Sequence, residues 1–208
     1  MIKITNTLTD GFESAIRGMR NSCNSYNESD SLYNIYGNYE ISENDLVLMK
    51  KLVKAGTDHR KFLRMIAVWC DITAPLYWWK EASTYKVGTV ANSCSTMHCI
   101  ADKEFAVDDF SCEYLIKAYF KFDTVLQKLN MFRTLYLNEE NPDTKRKYWY
   151  SLIQLLPSSY NQKRTVMLNY EVLMNMYKAR KNHKLDEWKE FCKWIEELPY
   201  MKELLEVE

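Results

Sequence analysis

Two carboxamides and a guanidinium in the last quarter of the chain have the types and spacing to hold a planar, hydrogen-bonding or anionic ligand. They are Asn169, Asn175 and Arg180. A carboxamide offers a donor and an acceptor together, and a guanidinium offers a rigid fork of donors. Asn169 and Arg180 stand eleven residues apart, about three helical turns, so one helix face would carry both. The apolar stripe of that helix would be Leu168, Val172, Met176 and Ala179, at three- and four-residue spacing. A solvated helix face has the same pattern, so spacing alone leaves both readings open.

The elements that must position these groups follow from residues 156–188, LPSSYNQKRTVMLNYEVLMNMYKARKNHKLDEW. A proline break at Pro157 leads into a polar and basic loop over 158–165, and then into the helix. A second stretch, residues 84–98, is small and polar, with little apolar area to bury for each residue ordered. Its amides and hydroxyls suit contact with a phosphate or a ring edge, and a surface loop would look the same. Arg17 and Arg20, three apart on an early helix, His59, Arg60 and Lys61, and Lys163 and Arg164 would make a basic pocket if the fold gathers them. Singly, each reads as a solvated charge. His59 and His98 have the chemistry for acid–base work or for ordinary hydrogen bonding. Trp78, Trp79 and Tyr85 would stack on a ring or fill a core.

The remaining elements are read in order. A strand is predicted over 2–4, a helix over 12–19 and a loop over 21–39. Ser42 is predicted to cap a helix running to Lys54, with Asp45 in the capping-box position and Gly56 after the end. A short helix over 59–64 precedes a buried strand over 66–73, which Ala74-Pro75 ends. Residues 76–81 read as an aromatic turn or a short helix. A long amphipathic helix is predicted from Asp108-Asp109 to about Leu137, with Phe110, Leu115, Ala118, Phe122, Val125 and Leu129 on its apolar side. A charged turn over 138–145, a helix over 147–155 and a terminal helix or pair over 185–205, interrupted at Pro199, complete the chain.

Composition sets the outer limits. At 208 residues, with 47% hydrophobic and 27% charged residues, the expectation is one folded domain spanning 1–208. Lys plus Arg equals Asp plus Glu at 28 each, which removes any global argument for nucleic acid or a membrane surface. The opening MIKITNTLTD has no apolar run of signal-peptide type, so a cytoplasmic protein with six free cysteines is expected. Zinc at Cys94, His98, Cys99 and Cys112 would need a ligand spacing that these residues do not have, so no metal is expected.

Taken together, the chain resembles the flavin-dependent thymidylate synthases over most of its length. The likeness is carried by Ala15-Ile-Arg-Gly-Met-Arg20, by residues 46–59 leading to His59, by Ala74-Pro75, by Leu156-Pro157, and by Asn169, Asn175 and Arg180 at the family's spacing. The resemblance implies an α+β fold, a central sheet with long helices, assembled as a homotetramer that binds FAD and dUMP where subunits meet. It implies methyl transfer to a pyrimidine nucleotide using the flavin hydride, with folate and NADPH as further partners and no enzyme nucleophile. Arg180 corresponds to the arginine that approaches the pyrimidine. Asn169 and Asn175, with Lys86 and His59, fall on the cofactor side, and Asn92, Ser93, Ser95, Arg164 and Arg20 on the nucleotide side.

The family's Arg-His-Arg triplet reads Thr84-Tyr85-Lys86 here. Asn92 and Ser95 match only with a one-residue insertion, and Ser93, Met97 and Ile153 replace a Glu and two Arg of the pattern. Neutral side chains cannot replace bidentate phosphate contacts. Two expectations follow: a divergent enzyme of this type, or an inactive homologue serving as a nucleotide-binding or protein-interaction module.

Overall fold

A computed structural model describes residues 1–115 and 122–207. The first half of the chain runs β1 (Lys3–Asp10), α1 (Phe12–Asn21), β2 (Leu32–Tyr33), β3 (Tyr39–Glu40), α2 (Glu43–Lys54), β4 (Ala67–Pro75) and α3 (Leu76–Ala82). The second runs β5 (Thr89–Ser93), α4 (Thr96–Cys99), α5 (Phe122–Asn138), α6 (Pro142–Leu155), β6 (Asn161–Asn169), α7 (Tyr170–Arg180), α8 (Asp186–Glu196) and α9 (Met201–Leu205). The longer strands are ordered β1-β4-β6-β5, and β2 pairs antiparallel with β3. The expected α+β architecture, a sheet with long helices, is the one observed. Among the described residues no helix is long and apolar enough to cross a membrane. Nor does any group of three or more His, Cys, Asp or Glu suit a metal ion there.

Backbone contacts divide the chain into two compact units. One comprises Met1–Lys3, Ile72–Thr84 and Asn92–Arg164, the other Ile4–Asp71, Tyr85–Ala91 and Thr165–Glu208.

In the second unit, α1 and α7 both pack on the tight turn Lys61–Met65. Gly11 makes that approach possible. Its φ is +99°, and a Cβ there would lie 2.2 Å from the Met65 carbonyl oxygen, so only glycine fits. The helix it opens buries Phe12, Ala15, Ile16 and Met19. Phe12 meets Tyr170 edge-on at 5.6 Å. Tyr170 is fully buried, and its hydroxyl donates to the Pro199 carbonyl at 2.8 Å. The α2 helix has the expected bounds but a different cap. Asp30 accepts from the amides of Asn44 and Asp45 (2.9 and 3.2 Å), whereas the Ser42 side chain makes no cap bond. The cap comes from across a loop, where the local capping pattern could not show it.

In the first unit, Ile100, Ala101, Phe105, Phe110, Leu129 and Leu152 form the core, with α5 packed on α6. The long helix expected from Asp108 is not formed at its start. Residues Val107–Asp109 make one tight turn, and Phe110 is extended and bridges Tyr160. There it meets the rings of Phe105, Phe122 and Tyr160 at 5.0–6.2 Å, a tertiary gain that outweighs helical periodicity. Leu115 is exposed, and Ala118 lies outside the described residues. The helix expected from 147 begins earlier, at Pro142, because Asn141 caps it by accepting from the amides of Asp143 and Thr144.

One polar stretch expected as a loop, and a second for which a loop is one of two readings, contain strands. Residues 158–165 lead into β6, whose Gln162, Val166 and Leu168 are buried at even spacing. The following helix therefore starts at Tyr170, Leu168 belongs to the strand, and Ala179 is exposed. The 84–98 stretch likewise holds β5 and the single turn α4.

Candidate functional site

The polar groups of α7 are held by residues of the second unit. Asn169 closes β6 and caps α7, its Oδ1 accepting from the Val172 amide at 2.9 Å. It is therefore a cap and not an interior helix residue. Its Nδ2 lies against Gly88, where φ is +76° and a Cβ would come within 2.4 Å of that nitrogen. Glycine at this position lets the 85–91 segment close on the start of α7.

One turn further along, Glu171 and Asn175 stand four apart on the helix and meet the same arginine. Arg60 donates from Nε to Glu171 Oε1 at 3.0 Å and from Nη2 to Asn175 Oδ1 at 3.1 Å. Arg60 is 3% exposed and Glu171 7%, whereas Asn175 is exposed. The other oxygen of Glu171, Oε2, is buried without a hydrogen-bond partner among the described residues. A buried guanidinium thus reaches out to one solvent-facing carboxamide.

Arg180 ends α7, half-buried. Its Nε donates to the Tyr85 hydroxyl at 2.9 Å, and its guanidinium carbon lies 4.8 Å from the Trp188 ring and 5.6 Å from the Tyr85 ring. Aromatic faces stabilise a cation and leave its in-plane donors for hydrogen bonds such as the one to Tyr85. Tyr85 and Trp188 meet edge-on at 6.2 Å, and His183 touches the Trp188 edge.

In the first unit, a cleft of about 240 Å³ is lined by Ser95, Cys94, Cys99, Tyr160 and Lys163, among others. Ser95 caps α4, its hydroxyl accepting from the His98 amide at 3.4 Å. Lys103 pairs with Asp109. A hydrogen bond to Asp102 is the main cause that pushes the Cys99 thiol up from its ordinary range, and burial does the same to Tyr160. Arg164, on β6, sits over the Trp79 ring at 4.2 Å and donates to Gln162 (3.0 Å) and Ser83 (3.2 Å). Burial lowers its pKa. Trp79 itself is buried and donates to the Gln162 carbonyl, while Trp78 is fully buried.

The candidates fall into the two units accordingly. Asn169, Asn175, Arg180, Lys86, His59 and Arg20 lie in the second, and Asn92, Ser93, Ser95 and Arg164 in the first. His59, Lys86, Asn92 and Ser93 are exposed. Arg20 is 2% exposed, and its guanidinium is engaged by Asp45 at 2.6 Å and by Ser25 and Glu28 at 3.3 Å, so burial within the fold accounts for it. Sequence reasoning missed Glu171, Gly88 and Trp188 and treated Arg60 as one of several surface cations. The four-residue interval from Glu171 to Asn175 was the one legible signal.

No protein-family model matches this sequence, and no curated protein sequence is recognisably similar to it. Solved structures are similar. A thymidylate synthase X (ThyX) from Helicobacter pylori, crystallised with FAD and dUMP, superposes with a TM-score of 0.71 at 16% identity. The match covers 99% of this chain and 97% of that one. A UMP/dUMP methylase, PolB, from Streptomyces cacaoi, bound with 5-Br dUMP, gives 0.63 at 11% identity over 100% and 93% of the two chains. Across its whole length, this chain has the fold of the flavin-dependent thymidylate synthases.

Proposed function

We propose that the chain is a flavin-dependent thymidylate synthase-like protein that binds FAD and a dUMP-like pyrimidine nucleotide and transfers a methyl group to the uracil ring. The supporting observation is the pair of groups on α7: the Asn175 carboxamide held by buried Arg60, and the Arg180 guanidinium held by Tyr85 and Trp188. These groups suit a flat heterocycle bearing carbonyls. A fixed carboxamide pairs with its edge, and a fixed guanidinium draws electron density from a ring carbonyl. When bound, the flavin would supply the hydride; the chain's own task is to orient the rings and exclude water. Folate, NADPH and assembly as a cytoplasmic homotetramer belong to the same reading.

Purified protein would take up FAD, with the absorbance band of oxidised flavin, and dUMP would raise its thermal stability. Colourless protein that ignores both ligands would overturn the reading. Arg180→Ala would weaken dUMP binding by roughly 10- to 100-fold, the loss of one charge-assisted bond, while the melting temperature stays close to that of the parent. Titration of dUMP into the two proteins checks this.

One observation favours a second reading, a binding module without catalysis. Ile153, at the position of a nucleotide-binding arginine in the family pattern, packs against the apolar core of the first unit. Single-turnover assays with dUMP, reduced flavin and a folate methylene donor separate the two. Methylated product supports the enzyme; tight binding with no product supports the module.

A further inference from the structure

We infer that Arg60 is a positioning residue that sets which end of the Asn175 carboxamide faces the ligand. The inference rests on the reading of α7 as a ring-binding site and adds to it the hydrogen-bonding sense of the ligand edge met there.

A carboxamide is nearly symmetric in shape, so its orientation is decided by its partners. Arg60 has only donors to offer, and it faces the oxygen, Oδ1, at 3.1 Å. Turning the amide over would set two donors against each other beside a buried charge. The guanidinium cannot turn to relieve that, because its Nε is tied to Glu171 at 3.0 Å and the group is planar. The Arg60 backbone is tied as well, its amide donating to the Gly56 carbonyl at 3.1 Å. With Oδ1 committed inward, the exposed side of Asn175 presents Nδ2, a donor. The ligand atom that meets it is therefore an acceptor, a ring carbonyl oxygen or an unprotonated ring nitrogen, and not a ring N–H.

Two measurements test this, one without any ligand. In the apo-protein, the Asn175 Nδ2 group would show an NMR order parameter close to that of rigid backbone, about 0.85, falling below about 0.6 in Arg60→Lys. Lysine keeps the charge opposite Glu171 but has no planar fork to hold both partners at once, and a cooperative thermal transition shows that the variant is folded. A mobile Nδ2 in the parent protein overturns the inference whatever the protein binds. The second measurement is the FAD dissociation constant in a double-mutant cycle. Arg60→Lys and Asn175→Ala would each weaken FAD by about 10-fold, and the double variant would be no weaker than Asn175→Ala alone. Asn175→Asp, which offers no donor, would lose at least as much. Multiplicative losses in the double variant, or full affinity in Asn175→Asp, overturn the inference. A rigid Nδ2 in a protein that binds neither FAD nor dUMP supports the positioning role of Arg60 and instead removes the proposed function.

Discussion

Arg20 and Arg60 are both arginines buried to within a few percent, both paired with a buried carboxylate, and they differ in where their hydrogen bonds lead. At Arg20 the network closes around the carboxylate, while one guanidinium arm reaches the exposed Glu28 at 3.3 Å. Asp45 is completely buried, and its second oxygen accepts from the Ser29 hydroxyl (2.8 Å), the Ser31 hydroxyl (2.6 Å) and the Ser31 amide (3.1 Å). The loop between α1 and α2, whose Tyr26, Leu32, Tyr33, Ile35 and Tyr36 are exposed, is pinned by these bonds in place of a core. At Arg60 the network stays open. It runs from the buried Glu171 through the guanidinium to Asn175, which faces solvent. The Arg20 network saturates a buried carboxylate and ties down a loop, whereas the Arg60 network leaves one Glu171 oxygen without a partner among the described residues and reaches a solvent-facing carboxamide.

The sharpest way to break this contrast is at Asp45. Asp45→Ala would leave Arg20 buried without its main partner and cost about 3–5 kcal/mol in urea unfolding, with FAD affinity of the folded protein unchanged. A loss under about 1 kcal/mol would mean the closed network is not structural.

A smaller effect is expected on the α7 side. Gly88→Ala would force a left-handed residue against Asn169 Nδ2, costing about 1–3 kcal/mol in the same assay. Unlike Asp45→Ala, it would also weaken FAD, because it displaces the segment carrying Tyr85 and Lys86. Stability lost without any change in FAD affinity would separate that segment from the site.

The smallest effect is the pH dependence of the closed network. Burial raises the Asp45 pKa, but hydrogen bonds from Ser31, Ser29 and Arg20 outweigh it and hold the carboxyl below its ordinary range. A depressed folded pKa contributes stability above the unfolded value, about 3.9, and that contribution is lost as pH falls through the folded pKa. The difference in unfolding free energy between the parent and Asp45→Asn would therefore be constant from pH 7 to about 5 and narrow below about pH 4. A constant difference down to pH 3 would show that the carboxylate is not held ionised by this network.

Much of the scaffold was legible in the residues themselves. Apolar spacing and end signals located α1, α2, β4, α3 and the α8–α9 pair, because each buries one periodic face and ends at a glycine, a proline or a polar cap. They failed at β6, where Gln162, Lys163 and Arg164 look like loop residues. A strand can alternate buried and exposed polar groups as long as partners exist, and those partners are distant in sequence. Phe110 failed for the related reason that an aromatic cluster competes with helix propensity.

By itself the sequence determined that a helix rich in core residues ends the chain's polar 156–180 stretch, with Asn175 and Arg180 on it and Asn169 at its start. Tertiary structure alone decided their roles. It made Asn169 a cap, put Arg20 into the interior, and brought Arg60 across 115 residues of chain to Asn175 and Tyr85 across 95 to Arg180. The physical reason is that a hydrogen-bonding group acquires its direction from its partner, and partners separated by a hundred residues leave no local pattern behind.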